Sequence, residues 1–431
     1  MNTERMVKVV GVAVLVLVAL LTVAGACTPK AVPTQEATPQ EALKEVNITL
    51  LTDYTGPTAT YAVAESHGIV DAFAWANKNN LIPGVKVVLE DVDTKGLIEN
   101  CMTAYRNAMS RSESDKPILT HTVGTGYTYG LQPKFIEDDM PNISPTASGR
   151  IMLPPMQCFG DCVPYEDQCA IFVDWFVSNW KETRAPRFAF LTCDAAFGRT
   201  IVTDKVKAYI KSKGCEIVSE QYVPLAALEA NSQILALKNA KVDFAYGIFI
   251  TAPQVTVCRS WKDMDAKNIV LGASAWSHPH HIIAQCGDAA EGLLITTWFD
   301  LPHEWRTNNV VWSAFKDAGR PEIEHDGDWL AGWMEGMMAL DGLKKAIADV
   351  GIEKVDRHAM YKAMMKVDTT CQGVCHATFT PERHWATDKV GIARLTAKKL
   401  VTPEEDSIWA EWILPRDKLA APSPTLMEPV K

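Results

Sequence analysis

From residue 46 to residue 271 the chain alternates short β-rich runs with amphipathic helical stretches, and it does so twice. The first series has strands at 46–51, 85–90, 118–122 and 142–144, separated by helices at 64–79, 97–111 and 131–138. The helix at 64–79 sets Ile69, Phe73 and Ala76 on one face. The helix at 97–111 has Ile98, Cys101, Met102, Tyr105, Ala108 and Met109 as its stripe. Residues 149–168, rich in Pro and Cys and without a period, interrupt the pattern. A second series follows, with strands at 188–192, 216–219, 242–248 and 269–271 and helices at 168–180, 202–213, 232–239 and 254–262. A β-α-β-α order predicts a parallel sheet covered by helices on both faces. Two such series predict an α/β chain of two doubly wound parallel-sheet lobes. Open parallel sheets bind ligands beyond the carboxyl ends of their strands, so two facing lobes would share one cleft.

The last third does not read as another domain. It has a strand at 292–297, a helix at 309–317 and a long helix at 328–348. That helix carries Trp329, Trp333, Met334, Met337 and Met338, a stripe that belongs to a core. Trp329, near the helix start, is the position to watch. A length of 431 residues is too great for one compact core and suits two lobes. The formal charge is −10. Without residues 1–26 the chain keeps 40 basic and 51 acidic side chains, a balance of −11. An acidic body without a basic stripe argues against nucleic acid as a partner.

The N-terminus addresses the chain to a membrane. Arg5 and Lys8 precede 18 uncharged residues, 9–26, and then Ala24-Gly25-Ala26-Cys27. Small residues at 24 and 26 fit cleavage of a signal peptide, 1–26. The same residues before Cys27 resemble a bacterial lipobox, in which the cysteine becomes the lipid anchor, although Ala24 stands where that pattern prefers Leu or Val. An uncleaved anchor is the competing reading, since 18 residues is near the lower limit for spanning. Every one of these readings exports the body. Residues 27–45, with Pro29, Pro33 and Pro39 among Thr, Gln, Glu and Ala, form a flexible linker.

Ten cysteines follow Cys27. An even number in an exported chain admits disulfides. Free buried thiols, or a zinc site around Cys371, Cys375 and His376, are the other readings, the last without paired C-x-x-C spacing.

The opening of the body is Leu51-Thr52-Asp53-Tyr54-Thr55-Gly56-Pro57, then Tyr61 and Gly68. Later come Asn142-Ile143-Ser144-Pro145-Thr146-Ala147-Ser148, Phe197-Gly198 and Ala290-Glu291-Gly292. In this order and spacing they resemble the Leu/Ile/Val-binding (branched-chain amino acid) family of type I periplasmic binding proteins, the substrate-binding proteins of ABC transporters. The resemblance runs from about 46 to 395. It implies a Venus-flytrap architecture with a three-segment hinge, lobe 1 at 46–160 and 298–370, and lobe 2 at 161–297 and 371–431. It also implies a monomer that takes a small molecule (amino acid, amide, organic acid or aromatic) and passes it to an ABC transporter permease, without cofactor or metal.

The ligand-binding candidates follow from that alignment. Backbone N–H groups of Thr55 to Thr58 would face the cleft, and Tyr61 would supply a flat wall with one polar edge. Thr125, Gly126 and Tyr127 follow the third strand, where glycines admit close backbone approach. Thr146, Ala147 and Ser148 follow the fourth, and Ser148 matches the family position that binds a ligand carboxylate. Phe197 replaces the family tyrosine. Phe249, Ser274, Trp276 and Asp328 complete the set. Ser274 stands where amino-acid binders carry an acidic residue for the ammonium group. That departure favours an organic acid, amide or aromatic compound over an amino acid, unless Asp194, Asp300 or Asp328 takes the role.

Catalytic readings find little. His278-Pro279-His280-His281 does not place its rings on one helical face. The acidic residues Glu322, Glu324, Asp326 and Asp328 suit a helix start. No G-x-S-x-G, H-E-x-x-H or P-loop pattern occurs. The expectation is a binder and not an enzyme. A ligand-sensing receptor subunit for a membrane signalling partner, or a genuine branched-chain amino acid or amide binder, stays open as an alternative.

Overall fold

The computed structural model describes residues 43–396 and 410–428. Residues 1–26, Cys27 and most of the linker lie outside the described residues. Lys44 and Glu45, expected in the linker, already belong to the first strand.

Two sheets are built in the order the alternation predicts. The first takes β1 (Lys44–Thr52), β2 (Val85–Asp93), β3 (Leu119–Thr122), β4 (Asn142–Ser144) and β5 (Cys158–Gly160), all parallel, in the order β2-β1-β3-β4-β5. Its crossovers are α1 (Ala59–Lys78), α2 (Ile98–Met109) and α3 (Thr125–Glu137). β3, at the centre of this sheet, is buried on every residue, as a strand covered by helices on both faces must be.

α4 (Tyr165–Asn179) leads into the second sheet. Here β6 (Arg187–Cys193), β7 (Glu216–Val223), β8 (Phe244–Gly247), β9 (Val270–Ser274) and β10 (Leu294–Thr297) are parallel. The crossovers are α5 (Asp204–Ser212), α6 (Asn231–Asn239), α7 (Thr251–Asp263) and α8 (Pro279–Cys286). The Thr203 hydroxyl caps α5 by accepting the Val206 N–H at 3.2 Å. Aromatic rings fill the core: Phe176 stacks on Phe244 at 3.8 Å, and Phe188 meets both Phe190 and Phe244 edge-on.

After β10 the chain returns to the first sheet through α9 (Asn309–Asp317) and α10 (Gly327–Val350), which packs along α1. Asp326 starts α10 by accepting the Gly327 N–H at 2.8 Å. The two helices touch backbone to backbone. A Cβ on Gly332 would stand 1.8 Å from the Glu65 carbonyl oxygen, and one on Gly68 would stand 2.0 Å from that of Trp329. Trp329 belongs to the core. It stacks between Trp305 and Trp333, and its indole N–H donates to Asp71 at 2.8 Å.

α11 (Arg357–Met364) and a two-stranded ladder, β11 (Asp368–Thr369) with β12 (Ala377–Thr378), come next. β13 (Lys389–Leu395) and β14 (Ala410–Ala420) then extend the second sheet antiparallel, giving β14-β13-β10-β9-β8-β6-β7. Before that, residues 377–386 still lie against the first sheet. His384 stacks on Phe159 at 4.3 Å, and Gly160 and Trp385 form a parallel bridge. The chain end folds back on α4, where the Asp167 carboxylate accepts the Thr425 hydroxyl (2.6 Å) and the Leu426 N–H (2.7 Å).

Two readings need correction. The stretch 149–168 is not without structure: it holds a single helical turn at 149–152, then β5, then the start of α4. Residues 125–127 are the first turn of α3 and not a loop. The ten described cysteines are all free thiols, with no disulfide among them. No described helix is long and apolar enough to cross a membrane.

Candidate functional site

The ends of parallel strands carry exposed backbone and a chain reversal into a helix, so their loops converge where two sheets face each other. Seven such ends meet here. From the first sheet come Tyr61 on α1, Thr125 at the start of α3, and Pro145 and Thr146 after β4. Tyr165 opens α4. From the second come Phe197 after β6, Ile250 after β8 and Trp276 after β9. The space they line is about 10 Å³, room for about one water, so a solute enters it only when the two halves part.

The walls are four aromatic rings and the floor is hydroxyl-bearing. Thr125 and Thr146 bond each other at 2.7 Å. The Tyr165 hydroxyl donates to the Pro145 carbonyl at 2.9 Å. The Trp276 indole N–H is buried without a partner, so a donor faces an apolar surround. No charged side chain lines this space. The first N–H groups of α3 lie at one edge, and Gly124 before them offers no side-chain cap. A helix start of this kind favours an acceptor or anionic group. Burial raises the hydroxyl pKa of Tyr61 well above that of free tyrosine, helped by the Glu65 carboxylate behind it, so Tyr61 stays a neutral phenol.

Five of the twelve residues expected from sequence thus come together: Tyr61, Thr125, Thr146, Phe197 and Trp276. The other seven do not line the space. Phe249 turns into the core of the second sheet, beside Leu191 and Leu271. Successive side chains of an extended segment point to opposite sides, so its neighbour Ile250 takes the cleft. Tyr127 packs its ring on Gly124. Gly126 has open space around it. Ser148 is buried, 3.2 Å from the Tyr129 hydroxyl. Ala147 accepts the Tyr165 N–H at its carbonyl. Ser274 is buried with no hydrogen-bond partner for its hydroxyl. The N–H groups of Gly56 and Thr58 do not face a ligand, because Asp53 accepts both, at 2.5 and 2.8 Å.

Asp328 is fully buried, with its Oδ1 2.8 Å from His278 Nε2. Burial lowers the His278 pKa, but the Asp328 carboxylate overrides it and the net shift is upward. Burial raises Asp328, with His278 opposing. Asp194 pairs with Arg199 and Asp300 with Arg416, so neither is available to an ammonium group. The His-Pro-His-His run holds α8 to the start of α10: the His281 N–H donates to Asp326 at 3.0 Å, and His280 Nδ1 is 3.2 Å from the His325 carbonyl.

Tyr165, Pro145 and Ile250 were missed as site residues. Pro145 sat in a recognised motif, and Ile250 differs from Phe249 only in parity. Tyr165 had no signal beyond its place just before an amphipathic helix.

Two mostly parallel sheets that meet at their strand ends over an enclosed space, with a late helix returned to the first, define a type I periplasmic binding protein fold. The chain belongs to the periplasmic binding protein family, which it matches over residues 45–399. It is 23% identical over 257 residues to Leu/Ile/Val-binding protein homolog 3 of Brucella melitensis biotype 1, a match covering 59% of this chain and 68% of that protein. Among solved structures it resembles a branched-chain amino acid ABC transporter protein from Thermus thermophilus with bound valine. The TM-score is 0.74 and the identity 20%, over 85% of this chain and 97% of that one. It also resembles a fatty acid ABC transporter substrate-binding protein from Thermomonospora curvata, at TM-score 0.73 and 15% identity, over 86% and 92%.

Proposed function

We propose that this protein captures one small organic solute between its two sheets and delivers it to an ABC transporter permease, held at the outer face of the membrane by a lipid on Cys27. The aromatic lining at the strand ends carries this reading: both halves contribute to it, so a solute seated there after the halves part and close again would touch both. A ligand that contacts both halves only when they are together stabilises the closed state by that difference. The first lobe takes residues 44–161 and 298–386. The third crossing is put near 387 in place of 371, a choice that the contacts of Trp385 and His384 with Gly160 and Phe159 support. The solute is neutral or anionic, with a flat or apolar body and one acceptor end. The uncharged lining, the unpartnered Trp276 N–H and the start of α3 support that class. An α-amino acid would find no acidic side chain for its ammonium group among the lining residues.

A thermal-shift screen of amino acids, organic acids, amides and aromatics tests this, because a ligand selective for the native state raises the melting temperature. The expected hits are acids, amides or aromatics, confirmed by calorimetry at one site per chain. Phe197→Ala should weaken binding by about 30-fold, the loss of roughly 2 kcal/mol typical of a central aromatic anchor. Full affinity in both Phe197→Ala and Tyr61→Ala would overturn the placement of the site. Tight binding of a branched-chain amino acid would overturn the ligand class alone.

A further inference from the structure

One helical turn beyond Tyr61, the interior of the first half is acidic. Glu65 on α1, Asp161 just past β5 and Glu335 on α10 each bring a carboxylate oxygen to within 4.8 Å of the others. All three side chains are fully buried. Five of their six carboxylate oxygens have no hydrogen-bond partner. The sixth, on Glu335, lies 2.8 Å from His121 Nδ1. Among the described residues no Lys or Arg pairs with any of them.

An unpaired carboxylate in an apolar interior is strongly disfavoured, and three in contact repel one another as well. Either protons or a cation must neutralise them. Protons would do so by joining the carboxyls to one another, and a cation would do so by drawing one oxygen from each of the three. The donors are hard oxygens only, which suit calcium, manganese or magnesium better than zinc. Calcium binds 6–8 oxygens at about 2.3–2.6 Å, so two of its ligands lie up to about 5 Å apart. Three carboxylates supply up to that lower number. The frame is rigid: α1 and α10 touch at Gly332 and Glu65, and the Asp161 N–H is tied to the Ser144 carbonyl at 3.2 Å. His121 orients Glu335 from outside, as outer partners of metal-bound carboxylates do.

We propose that Glu65, Asp161 and Glu335 form a buried site for one divalent cation of the calcium class, directly behind the cleft wall that Tyr61 supplies. The cation fixes α1 against α10 and so the position of Tyr61. It is separate from the captured solute, and its test does not depend on that reading.

The full-length protein, purified without chelator, is analysed for metal by mass spectrometry. It is then stripped with chelator and melted with and without Ca²⁺, Mg²⁺, Mn²⁺ or Zn²⁺ at ~1 mM. The expected result is about one calcium per chain, or a melting temperature that rises and saturates with Ca²⁺ after stripping. Glu65→Gln with Glu335→Gln should lose both. Should that double variant not fold, Asp161→Asn is read by metal content instead. The wild-type titration stands by itself. Wild-type protein that is folded, metal-free as purified and unmoved by all four cations overturns the site. A response to zinc or manganese alone overturns the assignment to calcium.

Discussion

The two halves share a topology but not an interior. Around the first sheet the buried set includes Asp53, Glu65, Asp71, His121, Asp161 and Glu335. On the strands β6 to β10 the buried polar side chains are hydroxyls, such as Thr192, Tyr246, Ser274, Thr296 and Thr297. The strands of the second sheet are therefore held by shape, and the charge buried in that half sits off them, on Glu166 and Asp167 at the start of α4. The first is held partly by charge, and its stability depends on what neutralises that charge. Burial keeps His121 neutral by pushing its pKa down to about 3, so it cannot serve as the counter-charge.

The comparison is broken most forcefully from the second half. Phe244→Ala removes a fully buried ring that stacks on Phe176 and meets Phe188, and should destabilise by about 3–5 kcal/mol. Denaturant melts should show the same loss at pH 5 and pH 8. In the first half, Gly332→Ala forces a methyl against the Glu65 backbone. It should destabilise by about 1–3 kcal/mol, the cost of overpacking, and weaken solute capture by displacing Tyr61.

Glu166, at the start of α4, is where the second half does respond to pH. Burial pushes its carboxyl up to about 8, while the Gly149 N–H pulls the other way. The folded protein therefore keeps a proton that the unfolded chain releases near pH 4.5. The associated stability is complete below about 4.5 and is lost as pH rises to about 8. Glu166→Gln should flatten the stability profile across that window and gain about 1–3 kcal/mol at its alkaline end, the usual penalty of an unsatisfied buried group. A profile as steep as wild type would show that another group sets it. The smallest effect is at Ser148, whose one side-chain bond, to Tyr129, spans 3.2 Å. Ser148→Ala should cost below about 1 kcal/mol of stability and leave ligand affinity unchanged by calorimetry. A large affinity loss would return Ser148 to the site.

What the sequence made legible follows the strength of its local signals. The helix at 309–317 and the strand at 142–144 fall where periodicity puts them. α3 begins six residues earlier than read, because Thr125, Gly126 and Tyr127 look like a turn and are held in a helix by the Gly124 carbonyl. β5 was hidden because Cys158, Phe159 and Gly160 are all buried and show no alternation. β13 and β14 were not read at all. In the site, strand-end positions were legible but the facing of single residues was not, as Phe249 and Ile250 show. The acidic interior did leave a trace. Glu65 precedes Ile69 and Phe73 by four and eight residues, and Glu335 lies among Met334, Met337 and Met338. A carboxylate on an apolar stripe is a legible anomaly.

Among the described residues, Trp276 is the tryptophan that borders the space at the strand ends, and its ring sits 5.7 Å from that of Trp298. The molecule thereby carries its own optical reporter. Filling the space changes the polarity around that indole. Subtracting the emission of Trp276→Phe from that of the unmodified protein would give a label-free trace of occupancy in real time.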